Sequence, residues 1–150
     1  MKYYLAARYD RRKELQELAE HLKLHGMEVT SRWLEGNHES KEEQATNVEK
    51  AQWAAEDWED IGRSDTLVFF CDPPETPGAG RGGRNVEFGI ALALNKRVFT
   101  VGEPENIFHQ LGGIQFESSL EFLSAAIYEK TSAAPMQDKA FTTAEIPALN

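Results

Sequence analysis

TLVFFCDPPETPGAGRGGRNVEFGIALALNKRVFTVG, residues 66 to 102, decides the fold of this chain. TLVFFC (66 to 71) and RVFTVG (97 to 102) are aromatic, β-branched and apolar runs bounded by charges, the composition of buried strands. Between them a Pro- and Gly-rich loop gives way to a helix over about Asn85 to Leu94, with Val86, Ile90, Ala93 and Leu94 predicted to pack inward. The unit repeats to either side. KYYLAA (2 to 7) is a strand, followed by a helix from about Arg11 to His25 that keeps Leu15, Leu18, Ala19 and Leu22 on one face and ends at Gly26. MEVT is a short strand. A helix from Thr46 to Ile61 places Val48, Ala51, Ala55 and Trp58 at helical spacing, leaving Asn47, Glu49 and Asp57 on other faces. IQF (114 to 116) and a last helix, LEFLSAAIYEK, capped by Ser118 or Ser119, complete the series. Strand then helix, repeated about five times, predicts an α/β protein with a five-stranded parallel sheet between two helical layers. The expected fold is flavodoxin-like or Rossmann-like with strand order 2-1-3-4-5, occupying residues 1–130. Residues 131–150, rich in Ala, Thr and Pro, read as an arm or disordered tail.

A chain of 150 residues with 41% hydrophobic content can bury one sizeable core, so a single compact domain is expected. Its net charge of -9 repels polyanions and argues against duplex nucleic acid as a partner. Cys71 stands alone, which forbids an intramolecular disulfide and fits a reducing, cytoplasmic setting. No apolar run is long enough to cross a bilayer, and MKYYLAARYDRR turns charged too soon for a secretory signal, so no membrane partner is expected. His38 and His109 fall in no metal-ligand pattern, and neither a metal nor another cofactor is expected.

In such sheets ligands bind beyond the carboxyl ends of the strands. That selects the loops ARYDRR, SRWLEGNHES, DPPETPGAGRGG and GEPENIFHQ. Within GGRNVEFG (82 to 89), Glu87 stands beside glycine-relieved backbone at the start of a helix, where free amides and the helix dipole would hold its carboxylate ionised and exposed. A poised anion suits attack on an electron-poor sugar carbon, and hence chemistry at a glycosidic bond. The alternative is a first-turn charge that only completes the dipole.

YLAARYDRR, EDWEDIGRSDTLVFF, GGRNVEFGIALALNKRVFTVG and PENIFHQL together resemble the nucleoside 2-deoxyribosyltransferase family, which includes the 2'-deoxynucleoside 5'-phosphate N-hydrolases. The similarity covers residues 2 to about 125, and Asp57, Asp65, Glu87 and Gly89, in that order, are its most specific part. The resemblance implies that Glu87 is the nucleophile on C1', that Asp57 assists, and that the Tyr4 hydroxyl orients the nucleophile. Tyr3, on the opposite side of the strand, is the fallback. It also implies that Asn106 reaches the 5' end of a sugar from a neighbouring subunit, which makes the active unit a homo-oligomer, at least a dimer. The departure from the pattern is Arg81, which stands where the transferases carry an acid that binds the base and the monophosphate hydrolases a serine that binds phosphate.

The chemistry stands beside the resemblance. Cleaving an N-glycosidic bond builds positive charge on the sugar, so one carboxylate can stabilise and then bond C1' while a second acid protonates the departing base. Asp57 and Glu87 meet only if the face of the helix carrying Asp57 points inward; otherwise Asp57 is a solvated charge in the acidic run EDWED. Trp33 either stacks on a base or belongs to the core. In the glycine-rich loop, Gly80, Arg81, Gly83 and Arg84 would suit a phosphate, as would Arg8, Arg11 or Arg12, unless these arginines pair with the chain's many acids. The same loop is expected to act as a lid. The expected ligand is a small nucleoside or nucleotide, with a lean toward 5'-nucleotides; water as acceptor gives hydrolysis and a second base gives transfer. Two other readings share the fold. One is a non-catalytic nucleotide-binding module; the other is a flavin-carrying protein, disfavoured because the first loop lacks a hydroxyl-rich phosphate cradle.

Overall fold

A computed structural model of the chain describes residues 1–36, 44–77, 82–132 and 136. Its sheet contains β1 (Lys2–Ala6), β2 (Glu28–Val29), β3 (Thr66–Phe70), β4 (Arg97–Val101) and β5 (Ile114–Phe116), all parallel, in the order β2-β1-β3-β4-β5. The helices are α1 (Arg12–Leu24), α2 (Asn47–Arg63), α3 (Arg84–Ala93) and α4 (Ser119–Ser132). The α/β class and strand order expected from the sequence are those observed.

All five residues of β3 are buried, because helices cover both faces of the sheet and leave no solvent side to alternate toward. β2 is shorter than MEVT. Its pairing with β1 continues through Thr30 N–H donating to Tyr3 O at 2.8 Å, after which the Ser31 hydroxyl accepts the Leu5 N–H at 2.7 Å. Side-chain bonding thus replaces the ladder where the chain turns away. Successive residues of β1 take opposite faces. Tyr3 packs edge-on against Phe122 of α4, with ring centres 5.5 Å apart, and Tyr4 lies on the side of Asp57 and Glu87. α1 buries Leu15, Leu18, Ala19 and Leu22 as its periodicity predicts, and Gly26, at φ 73°, ends the helix where a side chain would be strained.

Two helices are rotated from expectation. α2 opens with a capping box, Thr46 Oγ1 accepting the Glu49 N–H at 3.2 Å and Glu49 Oε2 accepting the Thr46 N–H at 2.7 Å. Its predicted inward stripe nevertheless faces solvent: Val48 is 77% exposed, Trp58 55%, and Ala51 and Ala55 are exposed as well. Asp60 and Ile61 are buried instead, with Lys50, Trp53 and Asp57 half-buried on the same side. The physical reason is Asp60, fully buried and bonded to the Arg32 N–H at 2.9 Å, to Arg32 Nε at 2.8 Å and to Arg63 Nη2 at 3.1 Å, which fixes the phase of the helix. α3 buries Arg84, Phe88 and Ala91, with Ile90 half-buried, while Val86 is 64% exposed and Ala93 and Leu94 also face out. An almost wholly apolar segment such as IALAL carries no clear period from which a phase can be read.

α4 extends two residues beyond the expected end of the domain, to Ser132. Its start is set by Ser118, whose hydroxyl accepts the Glu121 N–H at 3.2 Å. The expected tail, apart from residues 131, 132 and 136, lies outside the described residues, as do His38, Gly80, Arg81 and the centre of the expected lid.

Candidate active site

Tyr4 from β1, Asp57 from α2 and Glu87 from the first turn of α3 converge on one cluster, in which Tyr4 is fully buried and the two acidic residues are half-buried. The fold brings them together from three elements because α2 and α3 pack side by side over the face of β1 that carries Tyr4. Glu87 is neither exposed nor held as an anion by free amides. Its own N–H donates to Gly83 O at 3.0 Å, and its side chain turns inward, where Oε2 has no hydrogen-bond partner among the described residues. Burial, then the neighbouring charge of Asp57, pushes its pKa up to about 8, against smaller lowering by Tyr4 and Arg84. Asp57 is pushed up to about 6, chiefly by burial, with Tyr4 opposing and Asp60 and Glu56 adding to the rise. The Tyr4 hydroxyl is raised well above its ordinary value by burial and by the two carboxylates. It lies close enough to favour the ionised form of each carboxylate, although no hydrogen bond of good geometry closes on it. Two such carboxyls titrate as a unit, and between about 6 and about 8 the pair holds a single proton. The order of the two values puts that proton mainly on Glu87, so the arrangement in which Glu87 attacks and Asp57 donates is the minor tautomer of the singly protonated pair.

Most arginines put forward for phosphate are already engaged. Arg84 is 4% exposed, its Nη2 2.7 Å from both Asp72 Oδ2 and Glu105 Oε2, so it is an internal ion pair and not an open ligand contact. Arg11 forks onto Glu14 through Nε at 2.9 Å and Nη2 at 2.7 Å, and also reaches Cys71 O. Arg8 donates to Pro77 O at 2.8 Å and stands 3.6 Å from Asp10 and 3.7 Å from Asp72. Arg12 differs from the other three. Its guanidinium lies 5.4 Å over the ring of Tyr9 and against Gly36, where a Cβ would meet Nη1, and it has no carboxylate partner among the described residues.

Trp33 is 6% exposed, with its indole N–H donating to Leu5 O at 2.9 Å, so it offers no open face for stacking; the ring exposed beside it is Tyr9, centred 6.3 Å away. Gly83 precedes α3 with open space where a side chain would project, and Gly82, at φ 100°, supplies the turn. Asn106 caps the short 3-10 helix Ile107–Leu111 by accepting the Phe108 N–H at 2.9 Å, and donates to Asn85 Oδ1 at 3.1 Å. Asp65 accepts the Lys2 N–H at 2.8 Å where β1 begins, at the end of the sheet away from Glu87, and is structural. Sequence reasoning passed over Asp60, Asp72 and Glu105. Asp72 and Glu105 lie in the loops beyond the carboxyl ends of β3 and β4, the one positional signal that marked them. Among the described residues no three His, Cys, Asp or Glu side chains are grouped to hold a metal, and no helix is long and apolar enough to cross a membrane.

Fold and site together define a doubly wound α/β protein with a paired-carboxylate centre under two helices. The chain belongs to the nucleoside 2-deoxyribosyltransferase family, whose model matches residues 3–125. Among solved structures it is similar to a 2-deoxyribosyltransferase from Bacillus psychrosaccharolyticus (TM-score 0.64, 20% identity, 85% of this chain and 96% of that one). It is also similar to a conserved protein from Enterococcus faecalis V583 (0.61, 18%, 84% and 96%) and to the CMP N-glycosidase BcmB of Clostridium botulinum (0.53, 18%, 83% and 97%). No curated protein matches the chain.

Proposed function

We propose that the protein cleaves the N-glycosidic bond of (deoxy)nucleosides or their 5'-monophosphates through a covalent sugar ester on Glu87. The observation that carries this reading is the convergence of Asp57, Glu87 and Tyr4 in one cluster. In the first step a Glu87 oxygen bonds to C1' as the bond from C1' to the base nitrogen breaks; its electron pair leaves with the base, which takes a proton from Asp57. In the second, water or another base attacks C1', the ester bond breaks, and Asp57 recovers the proton. Water gives hydrolysis and a base gives transfer. Tyr4 steadies the ionised form of Glu87 during the return. Arg12, which has no carboxylate partner among the described residues, together with Arg81, supplies the cationic contact for a 5'-phosphate. The assembly is a homo-oligomer, formed through the apolar stripe that α2 leaves exposed.

A panel of nucleosides and 5'-monophosphates, with and without a free acceptor base, tests the reading when released base is resolved from exchanged nucleoside. Glu87→Gln should lower base release by at least about 10⁴-fold while ligand binding is kept. In acid-quenched intact-mass spectra the wild type should carry a sugar adduct that this variant lacks. Turnover surviving in Glu87→Gln removes Glu87 from the mechanism, and binding without release by the wild type leaves a nucleotide-binding module.

A further inference from the structure

Four side chains that take no part in the steps above close a ring around the start of α3. Arg84 Nη2 bonds Glu105 Oε2, the Glu105 N–H donates to His109 Nδ1 at 3.1 Å, and His109 Nε2 lies 3.0 Å from Asn85 Oδ1. Since Nδ1 accepts, Nε2 carries the hydrogen and donates, which requires a neutral His109. Burial lowers the His109 pKa in the same direction, and the ring is wedged against Phe69 at 4.3 Å and Phe88 at 4.9 Å between centres. Asp72, at the end of β3, ties a second loop to the same guanidinium, and its N–H donates to Glu105 Oε1. The first turn of α3 is therefore fastened through two consecutive residues, Arg84 and Asn85, to the loops that follow both β3 and β4.

We infer that Arg84, Asn85, Glu105 and His109 form a clamp that sets the position of Glu87, with Arg84 and Glu105 acting as positioning residues for the sugar-transfer step. This rests on the proposed role of Glu87. The clamp explains why a fork and not a point charge occupies position 84: one planar group spans carboxylates from two different strand ends, which an ammonium cannot do with the same directionality. Among the described residues Arg84 bonds two buried carboxylates, and Arg8 approaches Asp72 from the rim. The charged or titratable groups that act on Glu87 are Tyr4 from β1, Asp57 from α2 and Arg84 from its own helix. Of these only Arg84 belongs to the clamp, so the clamp's charge reaches Glu87 through that guanidinium, whose position and neutralisation Glu105 sets.

The test titrates Glu87 directly by the carboxyl ¹³C signal of labelled protein, alongside kcat and KM. Arg84→Met removes a positive neighbour and should raise the Glu87 midpoint. Glu105→Gln keeps the shape and one acceptor, leaves the Arg84 charge less neutralised, and should lower it; this variant serves if Arg84→Met does not fold. Arg84→Lys keeps the charge and loses the fork, so kcat should fall by up to about a hundredfold with KM little changed. Midpoints that stay in place, or move the same way in Arg84→Met and Glu105→Gln, overturn the clamp. Oppositely moving midpoints in a wild type that releases no base would leave the clamp standing and overturn the reaction.

Discussion

α1 and α2 are both amphipathic by sequence, yet one buries its apolar stripe and the other exposes it. In α1, Leu15, Leu18, Ala19 and Leu22 face the sheet. In α2, Val48 and Trp58 face outward while Asp57 and Asp60 face in. Hydrophobic burial alone would turn α2 over. What opposes it is a set of polar contacts: Asp60 is bonded by Arg32 and Arg63, and Asp57 is left with little besides Tyr4. Burial raises the pKa of both acids, but the Asp60 oxygens are taken up by Arg32 and Arg63 and fix geometry, whereas Asp57, raised to about 6, is left facing Tyr4 and Glu87. The two aspartates, one helical turn apart, divide those tasks.

The largest effect expected from breaking this contrast comes from Asp57→Asn, which keeps the shape of the inward face and removes the proposed proton donor. Base release should fall about 10²- to 10⁴-fold. The pH dependence sharpens the assignment. With values of about 6 and about 8 in the pair, the wild type should show a bell-shaped kcat/KM peaking near neutrality. Below the first value both carboxyls are protonated and no nucleophile exists; above the second both are ionised and no acid remains. Asp57→Asn deletes the alkaline limb, and because Glu87 also loses a like-charged neighbour, the single rising limb should be centred below about 8. A nucleoside substrate is required, since a phosphate monoester titrates near 6 itself. An unchanged bell would assign the acid to another group.

Leu22→Ala probes the other helix. This side chain is fully buried, and its truncation should cost about 2–5 kcal/mol of folding stability by denaturant titration while leaving kcat of the folded protein unchanged. A comparable loss of kcat would mean that α1 shapes the site and that the two helices are not functionally distinct.

The sheet, its order and the helix count were legible because they depend on runs of apolar residues, whose burial on both faces leaves no ambiguity. That Glu87 and Asp57 come together was legible only through the resemblance and the strand-end rule. The phases of α2 and α3 were not legible. Periodicity assumes that the apolar face packs inward, and Asp60 with Arg32, separated by 28 residues, overrides that assumption through bonds that the sequence does not advertise. The state of Glu87 was misread for a related reason. Its position at a helix start predicts an anion, but the helix is rotated so that burial and Asp57 outweigh the dipole. Arg84 reads as a ligand contact in a glycine-rich loop until Asp72 and Glu105 are placed around it.

The smallest expected change in protomer stability tests the apolar stripe that α2 turns outward. Trp58 is 55% exposed, so Trp58→Glu should alter the folding free energy of the isolated protomer by no more than about 0.5 kcal/mol when measured at high dilution. In the proposed oligomer the same change puts an anion into a surface formed by Val48, Ala51, Ala55 and Trp58, where desolvating the charge opposes association. Sedimentation velocity over a concentration series should then show the wild type assembling and the variant remaining a monomer. A variant that assembles as the wild type does would place the subunit contact elsewhere, and α2 would be a helix that leaves Val48 and Trp58 exposed only because Asp57 and Asp60 have to face inward.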